Sequence, residues 1–168
     1  DRDTSGLIIA AKNDFAHQKL AAQLQDHTLA RTYECIVTGN LREDAGTVDA
    51  PIGRCPTDRK KMAVVSGGRR AVTHWEVLER FGGFTYVRCR LETGRTHQIR
   101  VHMASLGCPL TGDFLYGYED RSLISRPALH SAQLSLRQPV TGQELSFTLP
   151  LPEDMARLLT HQKGEKEP

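Results

Sequence analysis

The chain has 168 residues, 39% of them hydrophobic and 25% charged, with a formal net charge of +2. That length fits one domain with its own core better than two, and the composition is that of a water-soluble globular protein. The longest apolar runs are as short as Leu7–Ala11, so no membrane span is expected, and no apolar h-region follows the charged Asp1-Arg2-Asp3, so no secretory leader is expected.

Leu7–Ala11 reads as a short buried strand. Asp14 is placed to cap a helix whose apolar positions Phe15, Leu20, Ala21 and Leu24 fall on one side. Arg31–Val37 alternates apolar and polar residues as a strand does, and Gly39-Asn40 ends it. Thr47–Ile52 and Met62–Val65 are further strands on either side of a basic loop, and Gly67-Gly68 marks a turn. Ala71–Leu78 and Phe84–Leu91 form a hairpin across Gly82-Gly83. Thr96 is placed to cap a helix running to about Leu106, with Gly107 just past its end and Pro109 beyond. Ala128–Leu136 and Leu145–Leu149 read as two more strands, and Pro152-Glu153-Asp154 opens a last helix carrying Met155, Leu158 and Leu159. Many strands with a few interspersed helices indicate an α+β fold with much antiparallel pairing.

The even charge balance hides one local excess. Gly53–Arg70 carries Arg54, Arg59, Lys60, Lys61, Arg69 and Arg70 against the single acid Asp58. Such a run suits nucleic-acid phosphates, or is merely a solvated loop. The cysteines at 35, 55, 89 and 108 form no CxxC element, so zinc-ribbon and thioredoxin readings fail and reduced, half-buried thiols are expected.

Three segments carry more information. Asp1-Arg2-Asp3-Thr4-Ser5-Gly6-Leu7 is a polar loop feeding an apolar run, and by itself could be no more than an acidic turn. Arg31-Thr32-Tyr33-Glu34-Cys35-Ile36-Val37 places one tyrosine inside a strand, where a half-buried aromatic is ordinary. The run Leu91–His102 is dense in function-bearing types: Gly94 permits a tight turn, and Arg95, His97, Arg100 and His102 crowd the first turns of a helix. Cations there oppose the helix dipole, so a purely structural helix would not select them, although a solvated basic helix start remains the plain alternative. His97 and Arg100, three apart, share one face, and Ile99 and Met103 another.

In this order the three segments resemble the RluA-type pseudouridine synthases, and the resemblance runs from residue 1 to about residue 155. The family's D-x-x-T-S-G motif matches Asp1–Gly6, its tyrosine motif Arg31–Val37, and its third motif Gly94–His102, continuing through Leu106–Asp113. Leu129-His130-Ser131-Ala132 and Pro139-Val140-Thr141-Gly142 are also typical. Ala50–Arg54, Lys60-Lys61-Met62 and Ala71–His74 resemble the branch acting on large-subunit ribosomal RNA. The resemblance implies the α+β pseudouridine synthase fold, a mixed and mostly antiparallel sheet with flanking helices, formed by residues 1–155. Residues 156–168 would be the end of the last helix and a frayed polar tail. In the family, His-Arg-Leu and a strand-rich segment come before the aspartate. The resemblance thus predicts a preceding segment, with room for an RNA-binding domain, and poor activity of these 168 residues by themselves.

The implied reaction turns uridine into pseudouridine with no cofactor and no metal: the N1–C1′ bond breaks, the uracil turns in place, and C5 bonds to C1′. The target nucleotide must first flip out of its helix. Asp1 would act ionised, as nucleophile at the sugar or by assisting proton loss on a glycal-type route. Arg100 would be the cation that keeps it charged. Tyr33 would stack on the freed uracil and accept the C5 proton. Around them Arg2, Thr4, Gly94, Arg95, Thr96, His97 and Gln98 would bind substrate, while Arg54, Lys60 and Lys61 would hold RNA backbone. The expected partner is structured ribosomal RNA, or transfer RNA, met by a cytoplasmic monomer with no membrane contact. Two readings compete. A non-catalytic RNA-binding module would keep the fold without the reaction, but all three catalytic side chains are present. A hydrolytic metalloenzyme would draw on the seven histidines, but His97 and His102 lack the HExxH spacing.

Overall fold

Period-two alternation over residues 30–38, 72–80, 84–91 and 129–137, punctuated by glycine pairs and prolines, dictates a sheet-centred molecule. A computed structural model describes residues 1–118 and 121–164. In chain order its elements are β1 (Ser5–Gly6), α1 (Asp14–Gln25), β2 (Ala30–Thr38), β3 (Ala45–Asp49), β4 (Ile52–Arg54), β5 (Met62–Val64), β6 (Val72–Arg80), β7 (Phe84–Leu91), α2 (Gln98–Ser105), β8 (Leu129–Arg137), β9 (Glu144–Thr148) and α3 (Glu153–Gly164). The main sheet runs β1-β8-β2-β7-β6-β3, with β9 sharing the outer edge of β8 with β1. Among the described residues, only the β1–β8 pairing is parallel. β4 and β5 form a separate two-stranded hairpin. The fold is therefore α+β with a mixed, mostly antiparallel sheet, as expected.

The strand alternation sends successive residues of β2 to opposite faces. Tyr33, Cys35 and Val37 pack with Ile99 and Met103 of α2, whereas Ile36 packs with Met155 and Leu158 of α3. Met103, Met155 and Ile36 are fully buried, and each stabilises the domain by about 1.5–3 kcal/mol relative to exposure. The first of these two layers fixes α2 against the strand that carries Tyr33. The four cysteines are free thiols, and Cys35, Cys89 and Cys108 are buried.

Several expectations need correcting. Leu7–Ala11 is not a buried strand: pairing ends at Gly6, with only Leu7 N–H still reaching Ser131 O at 3.0 Å. From Ala132 onward the edge of β8 is taken by Leu149 and β9, and Ile8 is left 92% exposed. Asn13, not Asp14, caps α1 through Ala16 N–H. Phe15 and Leu24 are both exposed and only Leu20 joins a core cluster; nine positions make about two and a half turns, so those two residues point oppositely. Thr47–Ile52 is not one strand, since β3 stops at Asp49 and Ile52 begins the hairpin. Pro51 lies at the break, where it cannot donate to a ladder. Thr96 does not cap α2; His97 occupies that position. Of residues 156–168, α3 takes those through Gly164, and the remainder lies outside the described residues.

Candidate active site

Asp1 and Thr4, Arg31 and Tyr33 of β2, and residues 94–99 at the entry to α2 converge on one cavity of about 460 Å³. Leu91, Ile99 and Leu129 give it an apolar side, and its volume is in the range of small-ligand pockets. A larger apolar cavity of about 520 Å³ lies between Leu7–Ala11, α1 and β9, with Lys12 the only charged residue in its lining. The chemistry-bearing residues favour the smaller one.

Asp1 is held through its loop. Thr4 N–H bonds Asp1 O at 3.3 Å, and Ser5 and Gly6 then lie parallel to His130 and Ser131. Gly6 has φ +108, and a Cβ there would lie 2.7 Å from Ser131 N, so glycine is required. The buried His130 faces Leu149 O with Nε2 at 3.1 Å and Ser5 Oγ with Nδ1 at 2.9 Å. The tautomer that fits donates from Nε2 to the carbonyl and accepts the serine proton at Nδ1. Arg126 clamps the same loop from the far end of the chain. Its Nε and Nη2 meet Asp154 at 2.7 and 2.9 Å, and its Nη1 donates to Asp3 O at 3.2 Å. That guanidinium beside Asp154 holds the carboxyl below its ordinary range against the opposing effect of burial.

Tyr33 sits at a bulge, where the β2–β8 register shifts between Thr32 and Tyr33. Bulges beside sites re-aim a side chain, and here the tyrosine both packs on the core and lines the cavity.

The entry to α2 is strained. His97 is left-handed, φ 58 and ψ 21, and makes no side-chain cap; such a backbone costs about 1–3 kcal/mol unless its surroundings hold it. They do. Gln98, 3% exposed, accepts from Arg95 N–H at 3.0 Å and Thr93 Oγ1 at 2.8 Å, and donates to Val72 O and Thr73 Oγ1, both at 3.0 Å. Its amide is thus spent on the fold. His97 Nδ1 lies 2.7 Å from Tyr116 Oη, which itself accepts from Met62 N–H at 2.9 Å. With the tyrosine hydroxyl donating to Nδ1, the one arrangement that gives that proton an acceptor here, the imidazole proton is on Nε2, 4.0 Å from Asp1 Oδ1. Burial, and then Arg100, push the His97 pKa down, so the ring is neutral near pH 7.

Arg100 is shared between two carboxylates. Nε and Nη2 clasp the fully buried Asp113 at 2.7 and 2.9 Å. The planar fork then aims Nη1 at Asp1 Oδ2, 3.7 Å away. The guanidinium also lies 5.1 Å over the Tyr116 ring. The Asp1 side chain is 19% exposed and faces two N–H donors held in place from behind.

Of the residues expected at the site, Asp1, Thr4, Tyr33, Gly94, Arg95, Thr96, His97 and Gln98 line the cavity, and Arg100 reaches Asp1 beside it. Arg2 does not; its side chain is 91% exposed and bonded to Asp3. Arg54 and Lys60 are exposed on the β4–β5 hairpin and Lys61 is half-buried there. That hairpin is tied to the site through the Met62–Tyr116 bond. Sequence reading missed Tyr116, Arg126 and Asp154, which carry no local signal, and gave no role to Ser5, Arg31, Asp113 and His130 inside segments it did single out. Among the described residues, no group of three or more His, Cys, Asp or Glu is placed to hold a metal ion, and no helix is long and apolar enough to cross a membrane.

The fold places the molecule in a known class. It matches human RNA pseudouridylate synthase domain containing 1, with a TM-score of 0.76 and 25% identity over all of this chain and 79% of that one. It also matches human RNA pseudouridylate synthase domain containing 4, with a TM-score of 0.70 and 26% identity over 90% and 69%. The RNA pseudouridylate synthase family model matches residues 1–105. The chain belongs to that family. It is 52% identical to an uncharacterized RNA pseudouridine synthase, YlyB, of Bacillus subtilis, over 95% of this chain and 52% of that protein. It is 47% identical to ribosomal large subunit pseudouridine synthase D of Pseudomonas aeruginosa, over 99% and 56%. The chain spans about half the length of the curated relatives it matches.

Proposed function

We propose that this chain is the catalytic domain of an enzyme that isomerises uridine to pseudouridine in large-subunit ribosomal RNA, with Asp1 as the nucleophile. The observation that carries the reading is the shared guanidinium: Asp113 locks Arg100 so that Nη1 faces Asp1 beside the cavity lined by Tyr33. A carboxylate entering a desolvated site tends to take up a proton unless a cation holds it charged. Asp1 has that cation. The target uridine flips into the cavity and rests against Tyr33, Leu91 and Ile99. The Asp1 carboxylate attacks C1′, or takes the C2′ proton on a glycal route, as the bond to N1 breaks. The uracil, released with its negative charge on N1, turns in place against the apolar side, and C5 bonds to C1′ as the Asp1–C1′ bond breaks, or as Asp1 returns the C2′ proton on the glycal route, so the carboxylate is regenerated. Tyr33 Oη accepts the proton that C5 gives up and passes its own hydroxyl proton on, and N1 takes up one proton, so no net proton is gained or lost. The substrate class rests on the ribosomal large subunit relatives.

The test is to incubate the full protein with unmodified large-subunit ribosomal RNA and transfer RNA, with and without chelator, and map pseudouridine. Formation in ribosomal RNA unaffected by chelator is expected. Formation only in transfer RNA would overturn the substrate, and binding without product would return the non-catalytic module.

The β4–β5 hairpin grips RNA backbone without reading bases. Lys60→Ala with Lys61→Ala should lower the slope of log affinity against log salt by about one to two and weaken binding to unrelated RNAs to a similar extent. An unchanged slope would make the hairpin an ordinary solvated loop.

A further inference from the structure

Resting on the reading above, we infer that Arg31 holds a backbone phosphate flanking the flipped uridine, and that the strand continues past it through a second, arginine-lined cavity. This cavity, about 550 Å³, adjoins the first; Arg31, Gly94 and Arg95 line both. Arg31 therefore stands in the partition between them, two residues before Tyr33 on the same strand and on the cavity side with it.

Three observations point to an anion. Arg31 Nε is buried without a hydrogen-bond partner, and among the described residues no carboxylate pairs with the guanidinium; burial pushes its pKa down with only Tyr33 opposing. A half-buried cation whose Nε is buried without a partner is costly unless one arrives. Gly94 is the residue that lets it lie there, because a Cβ at 94 would run into Arg31 Nη1. Beyond it, Arg69 and Arg95 are brought near enough for Arg69, after burial, to lower the pKa of Arg95. Arg95 is fixed by Nε donating to Arg70 O at 2.9 Å. The acid in this cavity, Glu92, is bonded to His74 at 2.7 Å and Arg70 at 3.3 Å. Like charges gathered this way, one of them desolvated, fit successive phosphates of a single strand leaving the active-site cavity.

The experiment is a thermodynamic cycle between Arg31 and individual phosphates. RNAs carrying one neutral methylphosphonate at each position around the target uridine are bound to wild type, Arg31→Gln, Arg31→Lys and the surface variant Arg69→Gln. At one flanking phosphate, wild type should lose roughly ten- to hundredfold in affinity. Arg31→Gln should lose as much on unmodified RNA and nothing further on the neutral linkage. Arg31→Lys should recover part of the loss, and Arg69→Gln should couple to a phosphate further along. Additive losses at every position, or wild-type affinity in Arg31→Gln, would overturn the proposal. If wild type modifies uridine while no coupling is found, the assigned function stands and the phosphate site alone fails; if wild type neither binds nor modifies RNA, both fail.

Discussion

Asp1→Asn in the full protein should abolish pseudouridine formation, a loss of roughly 10⁴-fold or more, the scale seen when a catalytic nucleophile or its partner is removed, while RNA affinity stays within a few fold. Either route requires a negative charge at this position, and the amide has the same shape without it. Folding should hardly change. The Asp1 carboxylate approaches Arg100 at 3.7 Å and His97 at 4.0 Å, too far for the tight hydrogen bonds whose loss destabilises a protein. Arg100 keeps its clasp on Asp113 without it. Single-turnover assays beside filter binding separate the two quantities. Turnover within tenfold of wild type would remove Asp1 from the reaction.

Asp113→Asn should be felt twice. Asp113 is fully buried and accepts two bonds from Arg100 and two from the Leu115 and Tyr116 N–H groups. Breaking a buried ion pair from one side costs about 3–5 kcal/mol, because the other charge is stranded. For a domain of this size the melting temperature should fall by roughly 10 °C. Turnover measured well below the new melting point should also fall, by about 10²-fold or more, as for loss of a fixed electrostatic donor. The reason is directional: with Nε and Nη2 released, nothing fixes Nη1 on Asp1. A lower melting temperature with unchanged turnover would make Asp113 structural only.

Much of this architecture was legible along the chain. The β6–β7 hairpin, β2 and β8 follow from alternation and glycine punctuation, which are local. So does the sharing of a face by His97 and Arg100, which the structure turns into two donors aimed at one carboxylate. What was not legible is long-range or three-dimensional. Leu7–Ala11 has a strand's composition, but its place on β8 is taken by β9, more than 130 residues later in the chain. Thr96 has a capping side chain, yet the cap falls on His97 because its neighbour Gln98, anchored on Val72 and Thr73 of β6, and the distant Tyr116 hold that strained backbone. Arg126 and Asp154 clamp the Asp1 loop from the opposite end of the sequence. Arg31 stood within a segment already singled out, but its isolation from carboxylates is a property of burial.

A flipped uridine seated in the cavity lined by Asp1 and Tyr33, with Arg100 beside Asp1, is tested by the structure of the Asp1→Asn variant bound to target RNA. The uridine should lie out of its helix, its ring against Tyr33 and Ile99, and C1′ within about 3.5 Å of the substituted side chain. A target uridine still stacked in its helix, or seated in a cavity that does not include Tyr33, would contradict it.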